Sequence, residues 1–429
     1  MIRIIRSTDA EAVNSLLNSR TAERPELAAQ VSRIMAEVRA NGDNALCEMA
    51  RRFDGASLTP DQLRVTAEEI NEAYTKVDGE VLKSLRLARE RIAAFHQKQL
   101  SRSWFQPEAD GTVLGQLITP LDRVGIYVPG GRASYPSSVL MNAVPAKVAG
   151  VAEIVMVTPP MADGKVNPYT LVAAAEAGVN EIYKVGGAQA VAALAYGTPT
   201  IKPVDKITGP GNIYVTLAKR MVYGQVDIDM LAGPSEVLVV ADSSANPVYA
   251  AADMLSQAEH DPMASAVLVT HDAELAASVS RELARQLSEL PRRQVAGEAL
   301  ANHGAIIITK DLMESVQLAN RLAPEHLELL VQEPFKLLGQ IKHAGAIFLG
   351  HHSPEPVGDY LAGPNHVLPT GGTARFYSPL NVDTFMKKSS VIAFSQQSLN
   401  QLGDDIIRLA EVEGLQAHAN AVRVRLARG

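Results

Sequence analysis

The residues best suited to chemistry begin with Gln257 and His260, which stand three apart in Leu255-Ser256-Gln257-Ala258-Glu259-His260-Asp261. At about 3.6 residues per turn, Asp253, Gln257 and His260 share one helix face. Ala251, Met254, Leu255 and Ala258 lie mostly opposite, so the apolar side can pack while an amide and an imidazole face a cavity. The spacing suits metal ligation, yet glutamine is a poor ligand, and a helix that ends in solvated polar residues reads the same way. Further along, Ala323-Pro324-Glu325-His326-Leu327 sets a carboxyl beside an imidazole where a helix gives way to a strand. Such a pair can act as general acid and base, because His titrates near neutrality and burial tunes Glu upward; a solvated loop dipeptide has the same sequence. Asp359 and His366 in a long Gly/Pro loop, with Glu413 and His418 near the C-terminus, add N and O donors that only a fold brings together. His351-His352 point apart in extended chain and are assigned to solvent.

Three Gly-rich turns form a second set: Tyr127-Val128-Pro129-Gly130-Gly131, Gly186-Gly187-Ala188-Gln189 and Gly209-Pro210-Gly211-Asn212. Each follows an apolar strand and opens a helix, where free N–H groups and the helix dipole favour an anion. None is a full GxGxxG, so each by itself equally fits an ordinary tight turn.

The elements that must position these groups follow from periodicity. Residues 8–100 carry apolar positions at three- and four-residue intervals and read as consecutive helices, an all-helical N-terminal region. From 112 onward short apolar runs (RVGIYV, AEIVMVT, EIYKVG, KITG, EVLVVAD, AVLVTH, AIIITK, HLELLV, AIFLG) alternate with helical patterns, which signals repeated βα units and parallel sheets. The cleanest division falls between KITGPGN and EVLVVAD and gives two doubly wound halves of similar size. The fold class is therefore α/β, two Rossmann-like domains with a helical N-terminal region and a small helical tail. The expected boundaries are 1–111, 112–236, 237–380 and 381–429. The Gly/Pro-rich segment after Gly350 is too long and polar for a simple connector, and VDTFMKKSSVIAFS after it reads as a β-ribbon.

Bulk properties exclude several classes. The chain has 429 residues, 47% hydrophobic and 20% charged, with a net charge of −7. It can bury a large core and has no electrostatic reason to bind nucleic acid. No apolar stretch approaches the roughly 20 residues that span a bilayer, and the N-terminus lacks a signal-peptide core, so no membrane association and a cytoplasmic location are expected. The single cysteine, Cys47, rules out an intramolecular disulfide and a cysteine zinc site; on the Leu46/Met49 side of its helix it reads as a core thiol.

The ordered motifs RVGIYVPGG, VGGAQAVAALAYGT, ITGPGNIYV, IDMLAGPSEVLVVAD, MLSQAEHDP, APEHLEL, GDYLAGPNHVLPTGGTARF and EGLQAHANAVRVR run nearly end to end. In them the chain resembles the histidinol dehydrogenases. The resemblance implies an aldehyde-dehydrogenase-like fold and oxidation of L-histidinol through L-histidinal to L-histidine, the last steps of histidine biosynthesis, with two NAD and one zinc per active site. It also implies a homodimer whose active site is shared between subunits through the 381–429 tail. By the same resemblance Gln257, His260, Asp359 and His418 are the zinc ligands, with Glu413 and His418 coming from the partner subunit. Ser235, His326, His366 and Glu413 contact substrate beside those ligands; Tyr127, Gln189 and Asn212 contact NAD; Glu325 and His326 are the catalytic pair. The nearest alternative is a related dehydrogenase of another small polar alcohol, such as a sulfonated diol. The other is a non-catalytic metal- or nucleotide-binding protein on a retained fold.

Overall fold

The continuous apolar runs become the inner strands of two parallel sheets, because a strand covered by helices on both faces has no polar side to show. Arg123–Tyr127, Glu236–Ala241, Ser265–Thr270 and His326–Leu330 are buried at every position. These facts come from a computed structural model that describes residues 2–18, 25–130 and 134–426. Gly131 of the first Gly-rich turn and Ala427, Arg428 and Gly429 of the tail lie outside the described residues.

Two units are resolved, Met1–Gln99 with Leu121–Phe385, and Leu100–Pro120 with Met386–Gly429. The first contains both parallel sheets. One has the order Glu181–Lys184, Glu153–Thr158, Arg123–Tyr127, Lys206–Thr208, Asp227–Ile228. The other runs Arg3–Arg6, Ala305–Ile308, Ser265–Thr270, Glu236–Ala241, His326–Leu330, Ala346–Leu349. Numbered in chain order from Arg123 and from Glu236, both sheets have the doubly wound order 3-2-1-4-5.

Of the helices expected between residues 8 and 100, Pro25–Asn41 and Asp43–Met49 pack into the core on one face of the first sheet. Val31, Met35, Val38, Leu46 and Met49 share a core with Val155, Val157, Ala190, Leu194 and Val215. Outside that run, within the 1–111 region expected to be helical, two strands occur among the described residues. Arg3–Arg6 adds to the second sheet, in register with Ala305–Ile308, and Trp104–Pro107 is also a strand. A run of four residues flanked by arginines gives no helix or strand period, so its partner some 300 residues away decides its structure. Both faces of the second sheet are covered, one by helices Pro247–Ala258, Ala273–Glu289 and Arg293–His303, the other by Ala10–Asn18 and Leu312–Leu322.

In the second unit the expected ribbon is the strand Met386–Ala393. It pairs antiparallel with Val113–Pro120, which pairs in turn with Trp104–Pro107. The helices Gln396–Val412 and Gln416–Leu426 complete it.

Candidate active site

The acid–imidazole pair is placed by an abrupt helix-to-strand change. Helix Leu312–Leu322 is capped by Asp311, whose carboxylate accepts the Glu314 N–H at 2.8 Å. It ends at Ala323, φ 44°, the one non-glycine residue with positive φ among those described. A left-handed alanine costs about 1–2 kcal/mol, and Pro324 behind it cannot continue the helix, so the chain turns into the strand His326–Leu330. Parallel pairing in the register His326↔Val237 then brings the Glu236 main chain to both members of the pair. The Glu236 N–H donates to Glu325 Oε2 at 2.8 Å, and the Glu236 carbonyl accepts from His326 Nδ1 at 3.0 Å. A carbonyl only accepts, so Nδ1 carries the proton and Nε2 the lone pair. That Nε2 is buried without a hydrogen-bond partner, 4.0 Å from Asp359 Oδ1.

The Gln257 face comes from helix Pro247–Ala258, started by Asn246, whose side chain accepts the Val248 N–H at 2.9 Å. Ala250, Ala251, Met254, Leu255 and Ala258 enter the core while Asp253 and Gln257 turn to the site, also buried. His260 lies in the exposed turn beyond the helix, its N–H donating to the Gln257 carbonyl at 3.2 Å. The long Gly/Pro loop contributes a short helix, Glu355–Tyr360, which carries Glu355 and Asp359 one turn apart. One ligand atom from each of His326, Glu355 and Asp359 lies within 4.8 Å of the others. Only one orientation of the Gln257 amide suits its surroundings, with Nε2 donating toward Glu355 at 3.1 and 3.3 Å. His366 closes the cluster, Nδ1 at 3.8 Å from Asp359 Oδ1 and Nε2 at 3.5 Å from the Ser138 hydroxyl.

Burial dominates the electrostatics, since a charged group out of water is costly unless paired. His326 and His366 are each lowered to about 4 by burial, and the nearby His260 pushes both further down, so both rings are neutral at physiological pH. Glu325 and Glu355 are raised well above the ordinary carboxylate range by burial and by neighbouring acids, and burial raises Asp359 to about 7. Beneath them burial also raises Glu328 and Asp253, which bond to each other and so need a proton between them. Among the described residues no Lys or Arg ion pair reaches any of these five carboxyls. Within this cluster His326, Glu355 and Asp359 are donors of the kind that can hold a metal ion.

The glycine turns lie at the carboxyl edge of the first sheet. Tyr127 ends one, and Gly209 directly follows the other, of the adjacent strands at which its order reverses, the place where α/β sheets take ligands. Gly209 has φ 110°, and a Cβ there would lie 2.1 Å from the Tyr127 carbonyl oxygen, so only glycine fits. The buried Tyr127 hydroxyl accepts the Gly187 N–H at 3.1 Å, and the Asn212 side chain caps helix Ile213–Val222 by accepting from the Tyr214 and Val215 N–H groups. Gln189 is buried in helix Gly187–Tyr196. Tyr127 and Asn212 thus hold the turns themselves. The half-buried Ser235 directly precedes Glu236. In the second unit Glu413 ends helix Gln396–Val412 and His418 lies in Gln416–Leu426, both exposed.

Sequence reasoning missed Glu355, Glu328, Glu236 and Ser138. The i, i+4 spacing of Glu355 and Asp359 was a local signal for the first; the others depend on sheet register and tertiary contact. His351 is half-buried against the Ser244 hydroxyl at 3.3 Å, not free in solvent as expected. Cys47 is half-buried against the first core, where burial and Asp43 raise its thiol, the state of a packing residue and not of a nucleophile.

Residues 17–426 match the model of the histidinol dehydrogenase family. The chain is 62% identical to histidinol dehydrogenase of Heliobacterium mobile over 99% of its length and 100% of the relative's. It is 60% identical to that of Carboxydothermus hydrogenoformans, covering 95% and 96% of the two chains. The crystal structure of histidinol dehydrogenase from Elizabethkingia anophelis superposes with a TM-score of 0.94 at 37% identity, covering 99% of this chain and 98% of that one. A buried Glu–His pair held by one strand, donors gathered from a distant helix and loop, and likeness along almost the whole length agree: the chain belongs to the histidinol dehydrogenase family.

Proposed function

We propose that the protein oxidises L-histidinol through L-histidinal to L-histidine, the end of histidine biosynthesis, as a cytoplasmic homodimer using NAD and one zinc ion per subunit. The observation that carries the reading is His326, neutral, with Nδ1–H held by Glu236 and a buried Nε2 lone pair beside the Asp359 carboxyl. Residues 112–236 form the cofactor side and 237–380 the metal and catalytic side.

Zinc fits the donor set. With Gln257 Nε2 held by Glu355, its oxygen is free to ligate, and His260 and Asp359 add an imidazole and a carboxylate, the borderline N and O donors this ion takes. His418 of the partner subunit would be the fourth ligand. The cation-free cluster of carboxyls supports the same reading and disfavours a sulfonated substrate, whose anion would meet them unpaired. NAD fits the reversal point of the first sheet, with Tyr127, Gln189 and Asn212 shaping the turns that would hold it. Zinc held there would bind the imidazole and amine of the substrate, and NAD would supply the hydride acceptor.

The chain's own groups handle protons. His326 Nε2 takes the hydroxyl proton in the alcohol step. Glu325, its Oε2 fixed by the Glu236 N–H, takes the proton of the water that adds to the aldehyde, and His326 assists. No thiolate is available for that addition, because Cys47 sits in the first core. His366, Ser235 and Glu413 of the partner subunit orient the substrate.

The test is the number of NADH formed per histidinol consumed by purified protein before and after chelation. Two, falling to almost none on metal removal and returning with zinc, is expected. A single NADH, or indifference to chelation, overturns the reading.

A further inference from the structure

Glu355 is neither a zinc ligand nor a substrate contact in the reading above, yet it is among the most enclosed groups of the site, 2% exposed. Its main-chain N–H donates to Glu328 Oε1 at 2.9 Å, which fixes the start of its helix against the strand that carries His326. Its carboxylate meets the Ser256 hydroxyl at 3.3 Å and the Gln257 amide nitrogen at 3.1 and 3.3 Å. Ser256 and Gln257 are consecutive, so one carboxylate grips the last turn of helix Pro247–Ala258 at two points.

An amide presents either its oxygen or its nitrogen to a given direction, and only the oxygen can ligate a cation. The other neighbour of Gln257 Nε2, His326 Nδ1 at 3.2 Å, has its proton committed to Glu236. Glu355 alone, then, offers full acceptor oxygens on that side. We propose that Glu355 is a positioning residue for the metal: by binding the Gln257 NH₂ group it turns the Gln257 oxygen toward the ion and keeps the weakest ligand of the set in place. The inference rests on the reading of Gln257 as a zinc ligand. Partners of this kind around metal ligands are typically worth about 10–100-fold in affinity.

The experiment measures zinc affinity of the full-length purified protein by competition with a chromophoric chelator, and the visible absorption of the cobalt-substituted form. Glu355→Ala should weaken zinc about 10–100-fold and alter the cobalt spectrum. Glu355→Gln keeps an oxygen that accepts from Gln257 and should bind zinc within a few-fold of the parent, which a direct ligand role for Glu355 would not allow. Gln257→Glu sets two carboxylates together and should bind poorly, while Gln257→Glu with Glu355→Gln restores a donor–acceptor pair and should recover most of the loss. Thermal midpoints of the metal-free variants control for folding. If Gln257→Ala leaves zinc affinity unchanged, the ligand reading fails; if it weakens zinc but Glu355→Ala does not, or if Glu355→Gln is as damaging as Glu355→Ala, the positioning role is overturned.

Discussion

Glu325→Gln separates the two oxidations. Glu325 is 6% exposed, and its Oε2 accepts the Glu236 N–H at 2.8 Å. A glutamine oxygen accepts the same bond in the same volume, so the strand start and His326 keep their places. What is lost is a group that can take a proton from water. A positioned general base contributes about 10²–10⁴-fold, or about 3–5 kcal/mol of barrier. That loss should fall on histidinal oxidation, where water must add. The alcohol step delivers its proton to His326 Nε2 and should change no more than a few-fold. In rapid mixing with limiting histidinol, the variant should form one NADH near the parent rate and the second on a much slower phase; with histidinal supplied directly, kcat should fall by the full amount. His326→Asn, which removes Nε2, should slow both steps. Equal losses on the two substrates for Glu325→Gln would refute the division of labour.

Other consequences are independent of that one. His418→Asn should weaken zinc binding, and mixed dimers of His418→Asn and His260→Asn chains should regain activity; hybrids as inactive as their parents would exclude a shared site. Gly209→Ala forces both a clash with the Tyr127 carbonyl oxygen and a left-handed alanine, and should cost about 1–3 kcal/mol in denaturant unfolding and weaken NADH binding, more than Gly224→Ala, where φ is 101° but the surrounding space is open. His96 is fully buried, Nδ1 bonding the Ile92 carbonyl at 2.8 Å, and burial lowers its pKa below 6.5. The unfolded chain therefore binds the proton first as pH falls. His96 should add stability fully present above about pH 6.5 and lost below it by up to about 1.4 kcal/mol per pH unit, a slope that His96→Gln should remove from acid thermal melts.

Much of this was legible in the sequence because physics wrote it locally. Residues 237–241 and 266–269 are apolar throughout since helices cover both faces, and the glycine turns follow strands because no side chain fits where Gly209 meets Tyr127. Gln257 and His260 were visible as a pair but ambiguous, since helical spacing says nothing about what stands opposite. Glu355 and Asp359 stand opposite, about a hundred residues on, and the Glu328 carboxyl beneath them looked like an ordinary polar residue within a strand. Arg3–Arg6 was illegible for a related reason: an edge strand of four residues takes its structure from Ala305–Ile308. Long-range register, unlike periodicity, leaves no trace in a window.

The two sheets share one strand order, and the proposed site draws on opposite edges of them. The first presents its carboxyl edge, with Tyr127 and Gly209 at the reversal point, as such sheets ordinarily do. The second presents its amino edge, where Glu236 and His326 begin adjacent strands. Helix Pro136–Ala149 links the two regions, because it follows the Tyr127 turn and brings the Ser138 hydroxyl to His366. The Glu236 carboxylate also receives the Gly371 N–H at 3.1 Å, so the residue whose main chain fixes the catalytic pair helps hold the loop that carries His366. This separates the groups by how firmly they are held. The proton-handling atoms of Glu325 and His326 are set by main-chain bonds inside a sheet, where a shift would break the register of fully buried strands. The proposed metal donors Gln257, His260 and Asp359 sit on a helix end and a loop helix and depend on side-chain bonds such as Glu355 to Gln257. On the proposed mechanism, chemistry that passes from an alcohol to an aldehyde needs the bases fixed while the ligands adjust to a changing substrate, and this fold puts Glu325 and His326 at the start of a sheet strand.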